Sequence, residues 1–299
     1  MRFMMFTKHL QPLLLTEAGL AIKDIGFDGA DLTVRDGGYV DPTRVRDELP
    51  RAIATLKDCG LETPLLTTNI TRASDPVATP TFESAAACGT REIKLGYWKY
   101  NTFGTFVSTL DQVKRDLDGI EQLAHRTGVR ANLHVHSENF ITAQAPIIWN
   151  LIKDRDPKCI GAYVDPGHMC IEGGGDGWRM GLDLLSSRIS LVAVKDADWA
   201  SVRDDALGKP RWYTRMVPLR EGIVPWPSVF ACLKQIGFDG WVSVHSEYQG
   251  GHSWKDLATE EVIAQTRLDV AYLKDEVLPR AATASTNAIS RRGPSNLRS

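Results

Sequence analysis

Residues 132–138 read NLHVHSE, placing His134 and His136 two apart in an otherwise apolar stretch. Side chains alternate along a strand, so both imidazoles point the same way. Imidazoles exchange protons near neutral pH and bind borderline divalent cations, and a facing pair would serve either chemistry. Other apolar stretches end alike: Asp165 and His168 in VDPGH, Lys195 and Asp196 in AVKDAD, His245 and Glu247 in VHSEY, and Arg35 after ADLTV. Taken singly, a strand-end Asp is a turn or cap residue and a strand-end Lys a solvated charge. Taken together, four such ends supply imidazole, carboxylate and ammonium, the groups that hold a metal ion or shuttle protons. His9, His125 and His252 read as surface or loop residues.

These residues share a cavity only if the strands carrying them are neighbours. Short β-branched runs fall at 2–7, 30–35, 63–69, 91–97, 130–136, 161–165, 189–195 and 241–247, separated by segments of helical period. Near-continuous apolar strands spaced by single helices pair in parallel through right-handed crossovers. Eight such units predict a (β/α)8 TIM barrel, an α/β fold in one domain over 1–278, with 279–299 a mobile tail lacking apolar periodicity. A doubly wound sheet is the rival, but no GxGxxG follows the first run. The pentapeptide IGFDG recurs at 25–29 and 236–240, each time between helix and strand. Gly would end the helix in the left-handed region, Phe would cover the barrel's N-terminal rim, and Asp-Gly would turn into the strand.

The chain has 299 residues and a formal charge of −2, which gives no basic field for nucleic acid. No window approaches the roughly 20 apolar residues of a membrane span. Five cysteines are scattered without a CxxC pair, and the N-terminus lacks a signal-like apolar core, so the expected location is the cytoplasm. The stretch 196–226 is long for a strand-to-helix connection and carries Trp199, Trp212, Tyr213 and Trp226 with Arg211 and Arg215. Such a segment reads as a lid whose aromatic faces stack on sugar rings, or as one that pins itself to the barrel or buries a homo-oligomer contact.

GFDGADLTVR, VDPGH followed by EGG, VKDADW, VPLREG and the closing SEY resemble the sugar phosphate isomerase/epimerase group of xylose isomerase-like TIM barrels, over about residues 3–275. The resemblance implies a (β/α)8 fold and a site that holds Mn²⁺, Mg²⁺, Zn²⁺ or a similar ion on Glu, Asp, His and Glu ending strands five to eight. It also implies a small carbohydrate substrate. Asp165 and Glu247 match that set; His134 stands at the fifth-strand Glu and Ala193 at the seventh-strand His. Two electrophiles stay open. One is an ion on His134, Asp165 and Glu247, helped by His136 or His168 and waters. The other is the Lys195 ammonium, which would polarise a carbonyl without metal.

The reaction these groups suit is proton transfer beside a sugar carbonyl, with Glu247 as base, His134 or His136 as acid, and metal or Lys195 stabilising the enediolate oxygen. Arg35, His168, His245, Trp199 and Arg215 would bind substrate. A keto-glycoside lyase or hydrolase would use the same groups, and the missing ligands also fit a non-catalytic sugar-binding barrel.

Overall fold

The computed structural model describes residues 1–283. Eight parallel strands close into a barrel: β1 (Arg2–Phe6), β2 (Gly29–Thr33), β3 (Glu62–Thr67), β4 (Glu92–Lys94), β5 (Arg130–His134), β6 (Ile160–Val164), β7 (Ile189–Val194) and, last in the ring, β10 (Trp241–Val244). β10 pairs with both β1 and β7, so no edge is left open. The helices are α1 (Leu15–Ile25), α2 (Val45–Asp58), α3 (Ala78–Ala87), α4 (Phe106–Thr127), α5 (Ala145–Ile152), α6 (Pro166–Leu185), α7 (Trp226–Gln235) and α8 (Thr259–Tyr272). The (β/α)8 expectation holds. Helical backbone continues through residue 283, and Ala281 is buried; the expected tail from 284 onward lies outside the described residues.

Two hydrophobic layers follow from strand alternation. Outward-facing Leu32, Leu66, Ile93, Leu133, Val164, Val192 and Val242 pack under the helices in the main core. Inward-facing Met4, Leu65, Tyr163, Leu191 and Ala193 fill the barrel itself. Above that floor the inward positions turn polar, so the barrel is plugged below and chemically active above. Both IGFDG copies end their helices as read, with Gly26 and Gly237 at φ of 99° and 74°; Phe27 is buried and Phe238 half-buried.

Two further segments bear on the site. The segment after β7 is an antiparallel hairpin, β8 (Asp196–Asp204) with β9 (Lys209–Val217), in continuous register from Asp196↔Val217 to Asp204↔Lys209. The two arms satisfy each other's backbone groups through this ladder. The stretch that follows Asp165 forms α6 from Pro166 to Leu185, broken at Gly174 and Gly175. Its N-cap is Asp165, whose Oδ1 accepts from the His168 N–H at 3.2 Å.

Candidate active site

Every barrel strand delivers its last inward residues to one rim, where a cavity is lined by residues from β1, β2, β3, β4, β5, β6, β7 and β10 or the turns after them. Of the residues singled out by sequence, Arg35, His134, His136, Lys195, His245 and Glu247 line it. Asp165 and His168 lie against its wall, within contact of His134 and Lys195. The structure thus brings the β5, β6, β7 and β10 ends together.

The hairpin residues are not brought in. Trp199 is 49% exposed on β8, and Arg215 on β9 holds Asp198 through two 2.8 Å hydrogen bonds. Neither lines the cavity. Trp226 is fully buried at the start of α7 and donates its indole N–H to Asp196 Oδ2 at 2.8 Å, pinning the base of the hairpin.

Lys195 is the centre of the site. Its Nζ lies 3.3 Å from Glu247 Oε1 and 3.8 Å from Asp165 Oδ2, between the two carboxylates and 3% exposed. Gly167 permits this closeness: a Cβ there would stand 2.6 Å from the Lys195 carbonyl oxygen and 3.1 Å from Asp165 Oδ1. Burial alone would raise Glu247, but the Lys195 ammonium, helped by His245 and Lys8, holds it well below the usual carboxylate range. Burial raises Asp165, with Lys195 and His245 opposing.

The histidines are kept neutral by burial, reinforced by the cations around them. His134 Nε2–H donates to Asp165 Oδ2 at 3.2 Å, so its Nδ1 accepts from the Tyr97 hydroxyl at 2.8 Å. Both of its nitrogens are engaged. His136 differs: Nδ1–H donates to the Ser137 carbonyl at 3.0 Å, leaving a lone pair on Nε2, and its pKa is pushed down to about 4. His168 pairs with the Ser137 hydroxyl. The Tyr163 hydroxyl donates to His245 Nε2 at 2.8 Å, and His245 Nδ1 lies 3.7 Å from Glu247 Oε1.

The ion expected on His134, Asp165 and Glu247 fits this arrangement poorly. Both ring nitrogens of His134 lie at hydrogen-bond distance from protein partners, Ala193 offers no donor and packs in the barrel floor, and the Lys195 ammonium lies 3.3 Å from Glu247 and 3.8 Å from Asp165. A different trio among the described residues, His9, Glu247 and His252, brings ligand atoms within 4.8 Å of one another. His9, read as a surface or loop residue, is 6% exposed: it follows β1 inward, bonds Gln249 Oε1 through Nδ1 at 2.9 Å and leaves Nε2 buried without a partner.

Lys8, Lys94 and Tyr97 are among the lining residues that escaped the sequence reading. Lys8 continues the inward series Met4, Phe6 of β1; Lys94 ends β4; Tyr97 follows it. Lys94 is 3% exposed, with its ammonium 3.6 Å from the Tyr97 ring centroid. Burial, with Arg35 and Lys195 nearby, lowers it to about 7. The run REIKLGY suggests a strand through Tyr97, which would put Lys94 in mid-strand; the strand stops at Lys94 and makes it a rim residue.

Comparison with known proteins agrees with this architecture. The chain superposes on L-ribulose 3-epimerase with a TM-score of 0.73 at 17% identity, covering 98% of this chain and 99% of that one. D-psicose 3-epimerase from Clostridium cellulolyticum gives 0.69 at 14%, covering 93% and 99%. A probable 3-DHS dehydratase from Bacillus anthracis gives 0.64 at 17%, covering 92% and 100%. No protein with a curated description matches in sequence. The model of the xylose isomerase-like TIM barrel matches residues 20–268, and the chain belongs to that family.

Proposed function

We propose that this chain is a sugar isomerase/epimerase-type enzyme that moves a proton on a carbon next to a ketose carbonyl, with the Lys195 ammonium supplying the positive charge that stabilises the enediolate. The observation that carries this reading is the placement of Lys195 Nζ between Asp165 and Glu247. When a substrate carbonyl oxygen accepts from Lys195, Glu247 loses part of the partnership that keeps it a weak base. The carboxylate then removes the adjacent proton, and charge developing on oxygen falls beside a fixed ammonium. His136 Nε2, neutral and unprotonated, is the group able to take or relay a hydroxyl proton on the opposite wall. His134 is a positioning residue, held between Tyr97 and Asp165 rather than free to exchange. The expected substrate is a small carbohydrate, and the epimerase neighbours support that class.

The test is solvent exchange. Ketoses incubated with the protein in D₂O should lose a C–H signal by NMR, and Glu247→Gln should slow that loss by about 10²–10⁴-fold, the usual worth of a general base. Unchanged exchange in Glu247→Gln, or none with the wild type across a broad ketose panel, would sink the reading.

A further inference from the structure

The remaining half of the cavity carries charge that the proton-transfer chemistry does not use. Lys8, Arg35 and Lys94 all line it, from the ends of β1, β2 and β4. Among the described residues none of the three forms an ion pair or a side-chain hydrogen bond. Their polar heads instead meet rings or open space: Arg35 Cζ lies 5.6 Å from the Phe6 ring centroid, and Lys94 Nζ stands over Tyr97. The one carboxylate lining the cavity, Glu247, is already engaged by Lys195. Asp31, below Lys94, is fully buried and taken up by the hydroxyls of Thr67 at 2.6 Å and Ser243 at 2.9 Å. A chain of net charge −2 therefore gathers three basic side chains without an ion-pair partner at its active-site mouth. Basic side chains that share one cavity repel one another, and a bound anion offsets that repulsion.

From this placement we infer that Lys8, Arg35 and Lys94 form a subsite for a carboxylate carried on the carbon skeleton of the substrate, so that the enzyme acts on a keto-sugar acid rather than a neutral ketose. The inference rests on the functional reading above for the keto group, and on the unpaired cations for the acid. A carboxylate fits better than a phosphate ester for two reasons. The three cations line the same cavity as Lys195 and Glu247, so an anion held there lies close to the reacting carbon. An enediolate beside a carboxylate also carries two negative charges, and Lys195 alone would neutralise one.

The experiment is a calorimetric titration of the full chain with three probes: D-fructose, 5-keto-D-gluconate and D-fructose 6-phosphate. The keto acid should bind at least about 10-fold more tightly than fructose, the usual worth of one charge-assisted hydrogen bond. That advantage should shrink on adding salt, and Arg35→Met and Lys94→Met should each remove about 10-fold of it. Thermal melts identify a variant that fails to fold. If Lys94→Met does, Lys8→Met and Arg35→Met carry the test, both being only partly buried. Equal affinity for fructose and the keto acid, or no binding of the keto acid, overturns the subsite. Tighter binding of the phosphate ester than of the keto acid overturns the carboxylate assignment. Because binding is read without turnover, a preference that persists while solvent exchange fails would reject the functional reading alone.

Discussion

The two halves of the barrel mouth treat charge differently. Along β5, β6, β7 and β10 the polar groups form a connected set: Tyr97 to His134, His134 to Asp165, Asp165 to Lys195, Lys195 to Glu247. Along β1, β2 and β4 three cations face the same cavity without a polar partner. Buried networks with their partners in place are rigid, whereas unpaired charge marks where a ligand must supply what the protein omits. The first half is built to react, the second to receive.

The largest effect that would sharpen this contrast is at Lys195. Lys195→Met should lower the exchange rate by about 10²–10³-fold, as for loss of an oxyanion-stabilising donor. It should also move the acid limb of the pH–rate profile upward, because burial, the strongest influence on Glu247, would no longer be overridden by the ammonium. An unmoved limb would mean that the connected half is not electrostatically coupled. On the receiving half, keto-acid affinity should fall as pH rises through about 7. Lys94 is charged below that value and neutral above it, with Arg35 and Lys195 favouring loss of its proton and Asp31 and Glu247 opposing. Lys94→Arg should flatten the dependence; a titration curve equally steep in that variant would assign the effect elsewhere. The smallest effect belongs to the hairpin. Trp199→Ala and Arg215→Ala should change keto-acid affinity by no more than about twofold, as for surface positions away from a site. A larger loss would mean that β8 and β9 fold over the bound ligand.

The fold was legible because a buried parallel strand must be apolar on both faces, and that pattern survives in a single chain. The connected half of the site was legible for a related reason: His134, Asp165, Lys195 and Glu247 are polar residues ending apolar runs, where a structural explanation is hard to find for all four. Lys94 was missed because its rim position depends on β4 stopping after three residues, which the apolar LGY that follows conceals. His9 was missed because a short helical turn, Thr7–Leu10, carries it inward beyond the end of β1. The sequence left a lid, a pinned segment and an oligomer contact open for 196–226, because a long aromatic segment looks alike whether it wraps a ligand or pairs with itself. In each case the deciding fact was where a strand ended or what it paired with, and single-residue identity does not encode that.

The proton-transfer account turns on Lys195 standing in for an ion. The direct measurement is the solvent-exchange rate after exhaustive chelation and removal of metals, taken on the wild type and on Lys195→Met. The account predicts that the chelated wild type keeps its rate and that Lys195→Met loses it with or without added Mn²⁺, Mg²⁺ or Zn²⁺. Exchange abolished by chelation, restored by one of those ions and retained in Lys195→Met would contradict it.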